Sequence, residues 1–206
     1  MSIITFPSFS ALSFTSFSFR PSSNTQRFTS PLNKQTQTTE LPGTRWIAEG
    51  VFEAGSRADQ RLMAAFLASL RGSANRFYLW DLSHETPRGV YTGTVAVSGA
   101  NQSGSSLVTS GWTGTLKAGD YVQFTTDSNS PVVSELRMLI ADATGNGANV
   151  SLSLDAPMRA SPVNGSNVTT SKASAKMLLS DDESAKWGFS GGMLAPFSFT
   201  AFEDLG

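Results

Sequence analysis

The 206-residue chain contains no cysteine. That excludes disulfides, thiolate zinc sites and a cysteine nucleophile together, and it removes the staples on which small secreted scaffolds depend. Charge is sparse as well, at 15% of residues with a formal net charge of −1. A nucleic-acid binder needs a basic face to neutralise phosphates, and this balance does not supply one. No apolar run approaches the roughly 18 residues of a membrane span.

What is present is 39% hydrophobic residues, with Gly, Ser, Thr and Asn filling much of the rest. The length suits one sizeable domain or two small ones, and the composition favours β-structure rich in turns. Residues 1–90 hold nine Lys/Arg against six Asp/Glu, while residues 91–206 hold six against ten. Such a mild asymmetry suits head-to-tail protein contacts.

The opening "MSIITFPSFSALSFTSFSFRP" is poor in acids but lacks the basic start and continuous apolar stretch of a targeting peptide. Leu12 and Phe14 share one parity and Phe17 and Phe19 the other, which predicts a strand with a bulge. Residues 20–43 carry almost no apolar side chains and read as a polar excursion, either an extended hairpin or a loop. In 44–54, Trp46, Ala48 and Phe52 oppose Arg45, Glu49 and Glu53, the pattern of a half-buried strand. Ser56 with Asp59 forms a near capping box, and Leu62, Met63, Phe66, Leu67 and Leu70 repeat at helical spacing. Arg71 then faces the negative end of the helix dipole, and Gly72 is placed for the left-handed position after it. "NRFYLWDL" (75–82) follows as a strand with aromatics on both faces.

From Thr86 onward, short alternating runs are separated by Gly, Asn, Ser and Asp turns. Strands are expected at 93–98, 105–110, 120–126, 134–142 and 149–154, as a small antiparallel barrel or sandwich. The tail is apolar again, with Phe197, Phe199 and Phe202 expected to pack on the helix and first sheet. The fold class is therefore mainly β with one clear α-helix, α+β overall. A discontinuous outer domain, 1–86 plus 168–206, is expected to carry an inserted β-barrel at 87–167.

Candidate chemistry is thin. Ser190 in "GFSGG" (188–192) matches a nucleophile elbow, but no histidine follows residue 84 to act as its base. Asp81, His84 and Glu85 fall short of the three or four converging ligands of a stable metal site and read as a solvent-facing turn after a strand. "DATGNGAN" (142–149) reads as a hairpin turn and "SDDES" (180–184) lacks calcium-loop order. Trp112 and Tyr121 are the candidate carbohydrate contacts, since exposed aromatics stack on sugar faces, although a Trp in a small barrel is more often core. The chain reads as a non-enzyme without catalytic residues, metal or cofactor.

An ordered set of motifs carries a resemblance. "LPGTRW" (41–46), "SRADQRLMAAFLASLRGSANRFYLWD" (56–81), "PRG" (87–89), "LKAGDYVQF" (116–124) and "SLDAPMRASP" (153–162) occur in the order found in distal tail proteins of long-tailed, siphovirus-like bacteriophages, which the chain resembles from Arg20 onward. The resemblance implies a structural virion protein of the tail tip, assembled in the host bacterial cytoplasm. It implies a tail-tube-like β-sandwich or split-barrel domain that forms a ring, usually a hexamer. Such a ring joins the tail-tube protein on one face to the hub and receptor-binding proteins on the other, with DNA only passing through the lumen and no membrane insertion. A head-to-tail contact must close by rotation to make a ring. The family offers no catalytic residues. Arg71, Gly72, Arg76 and Asp81 are expected to hold the helix–strand junction, and Gly119 and Asp120 the barrel turn. A carbohydrate-binding module and a tail-tube or hub subunit of the same particle are the alternatives.

Overall fold

The computed structural model describes residues 2–7, 12–54, 56–129, 133–186, 189–190, 193–194 and 196–205. It is mainly β with one helix and several sheets, and it divides into two compact units: 1–78 with 176–206, and 79–175. The expected boundaries stood at 86/87 and 167/168, eight residues inside the second unit at each end.

In the first unit the chain forms β1 (Ile3–Ile4), β2 (Leu12–Ser22), β3 (Thr25–Thr29), β4 (Thr36–Glu40) and β5 (Arg45–Ala54). Helix α1 (Arg57–Leu70) and β6 (Arg76–Trp80) follow, and β6 runs across the boundary into the second unit. β2 pairs antiparallel with β5, and its register shifts between Phe14 and Ser16, the bulge that the two parities require. β3 and β4 form a separate two-stranded ribbon, so the polar excursion is a hairpin. In α1, Ser56 accepts the Asp59 N–H, and Met63, Phe66, Leu67 and Leu70 are buried. Leu62, expected on the same stripe, is 43% exposed at its margin, and Asp59 is buried instead. The helix ends on Arg71, itself left-handed at φ 51, with Gly72 also left-handed at φ 63. The positive φ at 72 favours glycine, and a Cβ there would also push aside the Asp182 carboxylate, 2.4 Å away at Oδ1.

In the second unit, β7 (Tyr91–Val97), β8 (Ser106–Leu116), β9 (Tyr121–Asp127), β10 (Val133–Met138), β11 (Ala143–Asn146) and β12 (Val150–Ser153) follow in order. β8 carries β7 along one edge and β11 then β12 along the other. It runs six residues past the expected end at 110, because Gly111 and Gly114 take positive φ and let the strand continue through a bend. The glycines of 142–149 likewise include a strand, β11, ahead of the turn. β9 and β10 pair as a second sheet. No closed barrel of ladders forms among the described residues, contrary to the expected inserted barrel. Single bridges at Ala96–Asn167, Gln123–Thr169 and Leu139–Leu154 join the strand edges instead. The segment between Leu154 and Asn167 includes Pro157 and Pro162, which have no N–H to donate to a ladder. Val95, Leu107, Trp112, Leu116, Val122, Phe124 and Leu152 build this unit's core.

The chain then returns through β13 (Ser174–Leu179) to the first unit, with β14 (Phe189–Ser190), β15 (Met193–Leu194) and β16 (Phe197–Glu203). The large sheet has the order β1-β6-β13-β16-β5-β2. Phe199 stacks on Phe52 at 5.2 Å and meets Phe77 edge-on, while Phe77 meets Phe66 of the helix. Phe197 and Phe199 are buried as expected, but Phe202 has the opposite parity and takes the Arg45 guanidinium over its ring at 4.3 Å. Ser190 pairs with Met193 where β14 and β15 run antiparallel, and its flanking glycines lie outside the described residues.

Candidate functional site: a polar clasp on the entry and exit segments

The polar residues of "GDYVQ" (119–123) gather the two segments by which the chain enters and leaves the second unit. Gly119 takes φ 93 in the tight turn from β8 into β9, and its N–H donates to the Leu139 carbonyl. Asp120, 3% exposed, accepts the backbone N–H groups of Arg88 at 2.7 Å, Gly89 at 3.1 Å and Lys117 at 2.7 Å. Three aligned donors replace the water that a buried carboxylate loses. Gly89 fits only as glycine, since a Cβ there would sit 2.2 Å from the Thr115 carbonyl oxygen.

One residue on, the Tyr121 hydroxyl donates to Asp81 Oδ2 at 2.9 Å. Burial pushes this phenol well above its ordinary range, and the Asp81 carboxylate raises it further. Asp81 also accepts from the Ser83 N–H and hydroxyl, and His84 Nδ1 stands 3.2 Å from Oδ2. These bonds lock the turn after β6. Gln123 holds the exit: its backbone exchanges hydrogen bonds with Thr169 at 2.8 Å, and its Oε1 accepts the Ser174 N–H at 3.0 Å. Entry and exit also meet directly, through Lys172 N–H to the Glu85 carbonyl at 2.7 Å and Tyr91 hydroxyl to Thr170 hydroxyl at 2.6 Å. Glu85 further pairs with Lys172, whose ammonium lies over the Trp80 ring.

Ser83, His84 and Asp81 share one turn, but not in the order of a catalytic triad. There, histidine bridges serine and acid through its two different nitrogens. Here Ser83 Oγ and Asp81 Oδ2 both face Nδ1, and the Ser83 hydroxyl also bonds Asp81. Among the described residues, no group of three or more His, Asp or Glu converges to hold a metal.

The other candidate residues separate. Trp112 is 1% exposed, with Nε1–H bonded to Thr109 Oγ1 at 3.1 Å and its ring against Gly145. It belongs to the core and offers no face to a sugar. Tyr121 is half-buried with its hydroxyl committed to Asp81, so the expected carbohydrate platform does not form from this pair. Arg76 does secure the helix–strand junction: its side chain donates to Ser73 O at 2.8 Å and Asp204 Oδ2 at 2.9 Å. Asp81 does not belong to that junction, and Arg71 serves it through its backbone, donating to the Ala68 carbonyl. Asp182, not singled out in the sequence, completes it by accepting the Ser73 N–H and hydroxyl. Burial works to raise Asp204, but Arg76 and Lys176 together hold it below its ordinary value.

A second cluster has no apolar-pattern signal at all. Glu135 and Arg137 share the β10 face that pairs with Phe124 and Val122, and both are buried at 2% and 1% exposure. Glu135 accepts the Arg159 N–H with both oxygens, and Arg137 donates to the Pro157 carbonyl at 2.9 Å. The pair thereby fastens "PMR" (157–159). The sequence leaves no trace of it: Glu135-Leu136-Arg137-Met138 alternates charged and apolar residues as a half-buried strand would, yet Leu136 between the two charges is buried as well.

No protein-family model matches the chain, and no curated protein is significantly similar to it.

Proposed function

We propose that the chain is a ring-forming structural protein of a bacteriophage tail tip, a distal tail adaptor between tube and hub. The observation that carries this reading is the β3–β4 ribbon. Every side chain of both strands is exposed, including Phe28 at 64%, and Leu32 at the tip is 95% exposed. A two-stranded hairpin alone is at best marginally stable in water. A ribbon of this kind gains its stability when another surface covers it, which suits a subunit built for assembly. The terminal position of the eleven-residue strand β2 in the sheet adds an edge open to pairing.

The clasp fits the same reading. Its polar groups are committed to backbone hydrogen bonds that fasten the entry and exit of the second unit, the duty of a scaffold. In this proposal the first unit supplies the tail-tube-like ring, usually a hexamer, and the second faces hub and receptor-binding proteins. Mass photometry and light scattering on the purified protein test it, together with images of tail tips carrying labelled protein. A closed ring and tip labelling are expected. A strict monomer at high concentration, with no label at the tip, would sink the reading.

A further inference from the structure

We infer that ordered water is bound inside the second unit, on the two side-chain nitrogens of Arg137 that find no protein acceptor among the described residues. Arg137 is 1% exposed, and its Nη2 serves both Glu135 and the Pro157 carbonyl. Nε and Nη1 are shielded from solvent as completely, yet neither has a hydrogen-bond partner among the described residues. A buried carboxyl or amine can neutralise itself in such a place, whereas a guanidinium keeps its charge and all five N–H donors. Buried donors left unmet are costly, more so on a charged group, and folded chains meet them with protein oxygen or ordered water.

The surroundings of Arg137 select the ligand. Glu135 lies against the guanidinium, and the Asp155 carboxylate accepts the N–H of Met138, the next residue along β10. Burial raises the Asp155 carboxyl, and the Met138 N–H and the Arg137 charge oppose that rise. One cation beside two carboxylates has no positive charge left over for an anion, and two N–H donors turn away a metal cation. What fits is a small neutral group that accepts from the guanidinium and donates onward to a carboxylate or carbonyl oxygen. Water does both, and it needs two to four polar partners to stay. The Pro157 carbonyl has a second lone pair to offer, and the carboxylates have several. Pro157 and Arg159 are exposed while Ala156 and Met158 between and before them are buried, so the site lies one chain's thickness from solvent.

Two measurements on the full chain test this. A crystal structure with ordered solvent is expected to show water at about 2.7–3.2 Å from Nε and from Nη1. Magnetic relaxation dispersion, which counts long-held internal waters, is expected to lose both when Glu135→Met is combined with Arg137→Leu. Arg137→Lys keeps the positive charge without these two donors, and it should lose at least one. Circular dichroism shows whether each variant is folded, and the crystal structure of the unmodified chain decides alone if neither is. A protein oxygen bonded directly to Nε and Nη1, no solvent at either atom, or an unchanged count in both folded variants overturns the inference.

Discussion

Asp120 accepts the backbone N–H of Arg88 at 2.7 Å, tying the turn before β9 to a segment 32 residues earlier in the chain. With Gly89 and Lys117 also donating, the carboxylate is saturated, and the isosteric amide cannot accept from all three as strongly. Asp120→Asn is expected to destabilise the protein by about 2–3 kcal/mol, the range for hydrogen bonds to a buried charge. Urea denaturation measures it, and a loss under about 0.5 kcal/mol would remove Asp120 from the clasp.

Two acids should shape the acid limb of stability in opposite senses. Asp204 is held low in the folded chain by Arg76 and Lys176 against the effect of burial, so its contribution is present above its unfolded value of 3.8 and fades as pH falls through the lower folded value. Asp155 is raised, chiefly by burial, with the Met138 N–H and Arg137 opposing. Its charge therefore costs stability above the raised value, and that cost disappears below the unfolded 3.8. Asp204→Asn should lower stability near neutrality and flatten the acid limb, whereas Asp155→Asn should do the reverse. Denaturation curves between neutral and acid pH distinguish the two, and matching profiles would contradict both assignments.

Removing one member of the Glu135–Arg137 pair leaves the other charge buried among core side chains. Glu135→Gln is expected to cost about 3–5 kcal/mol. Replacing both, as Glu135→Met with Arg137→Leu, should recover most of that loss, because the pair's own desolvation cost goes with it. A double variant no more stable than the single one would mean that the bonds to Pro157 and Arg159 matter more than the pair.

Trp112→Ala should cost about 3–5 kcal/mol by opening a cavity in the second unit's core. Thermal unfolding measures the loss. A neutral result would contradict the burial of the ring.

Much of the fold was legible because its signals are local. Alternation marked β2 and β5, the Ser56–Asp59 box and apolar spacing marked α1, and even the bulge near Phe14 showed as a change of parity. The misreadings share a cause. Glycines at 111, 114 and 145 resemble turn residues in one dimension, but they sit inside strands, at bends or under the Trp112 ring. Phe202 and Leu62 resemble their apolar neighbours, but a strand parity and a helix margin turn them away from the core.

The sequence alone determined α1 and the strands β2 and β5, the polarity of the 20–43 excursion and the absence of any thiol chemistry, since these follow from residue type and spacing. Only tertiary structure decided what the polar residues do. Asp81 could have served the helix junction, and instead it meets Tyr121, 40 residues away. Arg76 found Asp204 across 128 residues, and Glu135 with Arg137 went inside the core. Hydrogen-bond partners of buried charges are chosen by which backbone segments converge on them, and that convergence has no period in the sequence.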